Sequence, residues 1–156
     1  MKIELESIGL IQNDRSIIED DYWGSVVSTI ILDPKIVFPE STLGLEEFSH
    51  LEVIYYMHLV SDEKIQNGAR HPRNLTHLPK VGVFAQRVKS RPNKLGLSRC
   101  KLISVDGLQL QVQGLDALNG TPVVDIKPYF QEFSPREEVH QPAWAKEIMK
   151  DYFKGK

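Results

Sequence analysis

Short β-branched segments separated by turn dipeptides predict a mainly β (α+β) chain, a small antiparallel or mixed β-barrel or rolled sheet with one C-terminal helix. Three observations carry this. Aliphatic and polar residues alternate through Ile3–Ile11 and again through Ser25–Leu32; turn pairs such as Asp106-Gly107 and Asn119-Gly120 punctuate such runs; and a four-residue apolar period occurs only near the C-terminus. The strand-helix rhythm of a doubly wound sheet is missing. So are a Gly-x-Gly-x-x-Gly run and a Gly-Lys-Ser/Thr loop, which excludes a Rossmann cofactor site and a Walker phosphate cradle.

In chain order, Ile3–Ile11 and Ser25–Leu32 read as neighbouring strands around the acidic loop Asp14–Gly24. Glu52–Met57 is more continuously apolar and reads as a strand buried on both faces. Further strands are expected at Val81–Gln86, Arg99–Val105 and Leu108–Gly114, the last two joined by the Asp106-Gly107 turn. Pro142 suits a first helical position, and Trp144, Ile148 and Tyr152 form one stripe, so a helix is expected from about Pro142 to Phe153, ending before Gly155.

With 156 residues, 41% of them hydrophobic, residues 1–156 fit a single globular domain with its own core. No run approaches the roughly 18 apolar residues of a membrane span, and Met1–Glu6 builds no secretory h-region, so a cytoplasmic location and no membrane contact are expected. The single cysteine, Cys100, excludes an internal disulfide and reads as a buried, inert thiol. The five histidines lack the close spacing of a metal site, and no metal is expected. His50 and His58 flank the third strand, where structural histidines are usual, although His58 stands at a strand end where ligand pockets open.

Charge is divided unevenly. Lys64–Lys101 holds ten Lys and Arg and no Asp or Glu, whereas residues 1–63 carry thirteen acids against three bases. Two readings stand side by side: a positive surface for a phosphate backbone, or an electrostatic seam against the acidic third of the same chain or of a partner. Within the basic stretch, an apolar segment runs into a turn stiffened by Pro92 and Asn93, which sets Arg87 and Arg91 at a sheet edge where guanidinium forks suit phosphate or carboxylate.

Gly114–Tyr129 concentrates chemistry. Asn119-Gly120 offers the positive φ of a tight turn, and Val123, Asp125, Lys127 and Tyr129 would share one face of an extended run. A hairpin with a charged outer face accounts for the backbone, and a binding site accounts for the side chains. Ser98, His58 and Asp116 could be arranged as a triad, but no Gly-x-Ser-x-Gly elbow supports one; for Asp116 with Asp125, the neighbouring Lys127 makes a salt-bridged aspartate a better reading than an acid pair.

Three motifs in order, Gly44-Leu45-Glu46-Glu47-Phe48-Ser49-His50-Leu51, then Gly82-Val83-Phe84-Ala85-Gln86-Arg87 with Arg91-Pro92-Asn93, then Gly114-Leu115-Asp116-Ala117-Leu118 running on to Lys127-Pro128-Tyr129, resemble the TsaA/TrmO (YaeB-like) family over roughly residues 3–144. The resemblance implies an S-adenosylmethionine-dependent methyltransferase on a small non-Rossmann β-barrel, working as a homodimer and methylating N6 of threonylcarbamoyladenosine beside the tRNA anticodon. It places cofactor contacts on His58, Leu59, Arg87, Leu97, Ser98, Leu115, Asp116, Ala117 and Leu118. Asp125, Lys127 and Tyr129 are the candidates for placing the acceptor amine, and Arg91 and Asn93 for lining the same mouth.

One departure bears on the acceptor. Where such proteins carry Pro-Arg-Gln soon after the first strand, this chain has Glu19-Asp20-Asp21-Tyr22-Trp23-Gly24. The acceptor is therefore tRNA or, alternatively, a small-molecule or peptide amine stacked on Tyr22 and Trp23. A third reading is a non-catalytic RNA- or ligand-binding barrel.

Overall fold

A computed structural model describes residues 1–156. Its strands are β1 (Gly9–Gln12), β2 (Val27–Leu32), β3 (His50–Tyr56), β4 (Ala69–Arg70), β5 (Val81–Gly82), β6 (Leu95–Asp106), β7 (Gln109–Gln113) and β8 (Pro122–Pro128). Six of them close into a barrel in the order β1-β2-β7-β6-β3-β8, with every neighbouring pair antiparallel. β4 and β5 form a separate ladder inside the long β3–β6 connection.

Closure sorts residues into an inner and an outer face, and the barrel strands follow that division except at bulges in β6 and β8. On β3, Leu51, Val53 and Tyr55 are buried while Glu52, Ile54 and Tyr56 lie on the half-exposed outer face. The expectation of a strand buried on both faces is thus corrected: a barrel wall has no second layer outside it. Ile11, Ile30, Leu110, Val112 and Val123 meet the β3 side chains in the core, and Leu115 and Ala117 from the loop after β7 plug one end. Fully burying one such aliphatic side chain stabilises the fold by about 1.5–3 kcal/mol.

Other boundaries move for identifiable reasons. The first strand keeps only Gly9–Gln12, because Ile3 and Leu5 face no partner and stay exposed. The strand expected over Val81–Gln86 shrinks to Val81–Gly82, followed by a 3-10 turn at Val83–Ala85. It lies outside the barrel, and the Gln86 amide donates to the carbonyls of Arg70 and Val81, which ends the ladder. β6 begins earlier than expected, at Leu95, and so includes Gly96. The helix α1 spans Ala143–Met149; Pro142 precedes it in extended conformation, and the chain then turns so that Tyr152 reaches the barrel end.

A β-bulge at Val124 has the widest effect. Ile54 faces Asp125 and Tyr55 faces Val123, so Val124 is the extra residue. Val123 consequently points into the core while Asp125 and Lys127 point outward, and the four residues expected on one face are split between two.

Gly96 is a tight spot. A Cβ there would stand 2.3 Å from two ring carbons of Tyr55, which is itself buried. Gly96→Ala should therefore cost about 1–3 kcal/mol through overpacking, measured as a lower denaturant midpoint with unchanged m-value.

Candidate active site at one end of the barrel

The loop Leu115–Gly120 closes the barrel end and is fixed from both sides. The Asn13 amide donates to Ser28 Oγ (2.9 Å) and to the Ala117 carbonyl (2.9 Å), and the Asn13 N–H donates to Asn119 Oδ1 (3.1 Å). Gly120 takes φ +78°, as the Asn-Gly pair requires, and its backbone N–H returns to the Ile11 carbonyl at 2.7 Å. With Leu115 and Ala117 anchored in the core, Asp116 is turned toward the rim.

Three hydroxyls converge on the Asp116 carboxylate. Tyr55 (3.1 Å) and Ser98 donate to Oδ1, and Tyr152 donates to Oδ2. A half-buried carboxylate needs such donors to replace lost water. Ser98 gives its proton to Asp116 directly, which leaves no place for a histidine relay of the triad kind. Burial first, then the Asp116 charge, pushes the Tyr55 and Tyr152 hydroxyls far above their usual range, so both remain protonated donors. The same two causes push the buried Cys100 thiol up to about 12, which makes it inert.

The expected residues divide into two sets. His58, Leu59, Arg87, Leu97, Ser98 and Leu115–Leu118 gather at this end. His58 lies near the Gly120 turn, and the Arg87 guanidinium donates to the Leu97 carbonyl. Leu97 and Ser98 are adjacent in β6 and point to opposite faces, Leu97 outward and Ser98 inward. Arg91 and Asn93 sit in the turn whose Lys94 carbonyl accepts from the Met57 N–H (2.8 Å), at the same end, with Arg91 donating to Gln86 O (3.3 Å). Asp125 lies on the outer face in the row Leu97–Ile54–Asp125, ion-paired with Lys127 at 2.7 Å. Tyr129 lies at the far end of β8, roughly 20 Å along the strand from Val123 at about 3.3 Å per residue. There the Arg99 guanidinium stacks on it at 3.7 Å.

Tyr55, Tyr152, Asn13 and Arg15 were not singled out from the sequence. Tyr55 and Tyr152 sit in apolar patterns that gave no hint of a shared partner. Arg15 had a signal, being the only base in an acidic loop: it donates to the carbonyls of Tyr22 (3.1 Å) and Asp21 (3.0 Å) and lies 4.0 Å over the Trp23 ring. Trp23 is 4% exposed and so is not free to stack on a substrate, whereas Tyr22 stays partly exposed with Lys156 5.3 Å from its ring centroid.

The basic segment proves to be part seam and part open surface. Arg73 forms a bidentate pair with Asp21 (2.7 and 3.0 Å), Lys89 reaches Asp20 (3.6 Å), Lys94 reaches Asp62 (2.8 Å) and Arg99 reaches Glu52 (2.8 Å). Lys64, Arg70, Lys80, Arg87, Arg91 and Lys101 form no ion pair.

The class defined here is a small antiparallel barrel whose mouth carries a hydroxyl-bound aspartate beside a basic excursion. Residues 18–134 match the family described as the tRNA-methyltransferase O N-terminal domain, and the chain belongs to that family. It is 43% identical over 106 residues to a probable S-adenosyl-L-methionine-binding protein of Pyrococcus abyssi, covering 66% of this chain and 55% of that one. To the tRNA (adenine(37)-N6)-methyltransferase of Homo sapiens it is 37% identical over 102 residues, 65% of this chain and 23% of the human one. The crystal structure of TrmO from Pseudomonas aeruginosa superposes with a TM-score of 0.70 at 28% identity, over 92% of this chain and 62% of that one. The chain therefore spans about half the length of the Pyrococcus relative. No helix is long and apolar enough to cross a membrane.

The raised tyrosines give a pH signature. Their folded values exceed the value of about 10 that they have when unfolded, so the stability they confer is complete below about pH 10 and is lost as pH rises beyond it. Urea unfolding at stepped alkaline pH should show this fall, and Tyr152→Phe, which removes one of the two groups, should make it shallower.

Proposed function

We propose that the chain carries the S-adenosylmethionine-dependent methyltransferase activity named for its relatives, acting on N6 of adenine in tRNA. In its finer form the acceptor is threonylcarbamoyladenosine beside the anticodon, and the enzyme works as a homodimer in the cytoplasm. The observation that carries this reading is the Asp116 loop at the barrel mouth, in a chain whose family is that of tRNA-methyltransferase O.

The residues fit such a cofactor. An ionised carboxylate offers about four acceptor positions; three at Asp116 are used within the protein, leaving one for a cofactor amino or hydroxyl donor. Leu59 and Leu97, each about half exposed at the same end, offer an apolar wall. When bound, S-adenosylmethionine supplies an electrophilic methyl on a sulfonium. The protein's tasks are then to align the attacking nitrogen, exclude water and take up the proton that nitrogen loses. In this reading Asp125, held against Lys127, receives that proton. Tyr55 and Tyr152 are too reluctant to ionise to serve as bases, and they orient Asp116 instead. Arg91 and Asn93 line the mouth through which the acceptor enters.

The rival acceptor, a small-molecule or peptide amine stacked on Tyr22 and Trp23, is less favoured because Trp23 is buried beneath Arg15.

Calorimetry with S-adenosylmethionine and S-adenosylhomocysteine, followed by labelled methyl transfer to bulk tRNA, tests the proposal. Binding and label in tRNA are expected. Binding without transfer would leave a ligand-binding barrel, and absence of binding would remove the cofactor. For the acceptor, tRNA affinity should fall steeply with salt. Replacing the unpaired Lys64, Lys80 and Lys101 together with Ala should reduce the salt slope by about one for each phosphate no longer neutralised. A slope unchanged in that variant would move tRNA elsewhere on the surface.

A further inference from the structure

Tyr152 lies beyond the residues matched by the family, 18–134, yet its hydroxyl is one of three on Asp116. Its place is built by the backbone. The Trp23 N–H donates to the Tyr152 carbonyl at 2.8 Å and the Tyr22 N–H to the Asp151 carbonyl at 3.1 Å. Gly24 lets this contact close, since a Cβ there would stand 1.9 Å from the Phe153 carbonyl oxygen. A second tie runs from His77 Nε2 to Glu147 Oε1 of α1 at 2.9 Å.

The distribution of donors matters. Tyr55 and Ser98 both bind Oδ1, and a carboxylate held through one oxygen can still pivot about it. Tyr152 holds the other oxygen and stops that motion. Of the carboxylate's positions, only one on Oδ2 is left, with its direction fixed. We propose that Tyr152 is a positioning residue that, by pinning Oδ2, makes Asp116 an acceptor for one ribose hydroxyl or for the amino-acid amino group of the adenosyl ligand and so sets ligand selectivity. This rests on the reading of Asp116 as a cofactor contact.

The test is a matrix of ligands and variants in the full chain, read by calorimetry. The ligands are S-adenosylhomocysteine, its 2′-deoxy and 3′-deoxy forms, and methylthioadenosine, which lacks the amino-acid amino group. Tyr152→Phe keeps the ring and loses the hydroxyl; it should weaken S-adenosylhomocysteine by roughly tenfold, the scale of one charge-assisted hydrogen bond. That loss should vanish for the one analogue lacking the donor that Asp116 accepts. Asp116→Asn, which turns one oxygen into a donor, should show the same selectivity. His77→Ala, which loosens α1 without touching Asp116, should leave the ligand ratios unchanged. A loss spread equally over all ligands, no loss, tighter binding in Tyr152→Phe, or the same selectivity in His77→Ala would each overturn the inference while leaving the cofactor reading intact. If the unaltered chain binds none of the four, the cofactor reading falls and the inference falls with it.

Discussion

A carboxylate that leaves bulk water must find donors, and the demands of Asp116 organise one whole end of this molecule. Tyr55 meets part of that demand from the barrel interior, which requires its ring to cross β6 at Gly96, where no side chain would fit. Ser98 meets another part from the same strand. The third donor comes from the C-terminal segment, which is thereby drawn onto the loop Tyr22–Ser25. Three segments distant in sequence thus meet at one charge. The packing of the rim follows from satisfying it.

Electrostatics ties the rim to the rest of the chain. The acidic loop that replaces Pro-Arg-Gln is neutralised from within: Arg15 binds its carbonyls, and Arg73 and Lys89 bind Asp21 and Asp20. The basic segment is therefore tied to the acidic loop through Arg73 and Lys89, while Lys64, Arg70, Lys80, Arg87, Arg91 and Lys101 form no ion pair. Both readings of the charge division hold, for different residues of the same segment.

Much of the architecture was legible because barrel closure enforces a period of two, and β2, β7 and most of β6 show it plainly. The turns at Gly107 and Gly120 were legible because their chemistry is local. What escaped was set at a distance. The bulge at Val124, which sends Asp125 outward, arises from how β8 meets β3 and leaves no mark in the residues themselves. Tyr152 looked like one more apolar residue of a helical stripe, since a hydroxyl's partner 36 positions away has no sequence signature. Of the site, the loop and its aspartate could be read, but the hydroxyls holding it could not.

The wall of the barrel is not equally strong all round. β3 and β6 face each other over seven residue pairs, whereas β1 and β8 share two, Gly9 with Val123 and Leu10 with Pro122, and the proline has no N–H to give. Backbone bonds extend this short ladder at both ends: the Ile8 N–H donates to the Val123 carbonyl (2.8 Å), the Ile11 N–H to the Thr121 carbonyl (2.9 Å) and the Gly120 N–H to the Ile11 carbonyl (2.7 Å). The ladder ends at the Asn119-Gly120 turn, beside His58. The barrel is thus closed at its narrowest contact by the same turn that ends the Asp116 loop, so a change in that turn acts on the wall as well as on the mouth.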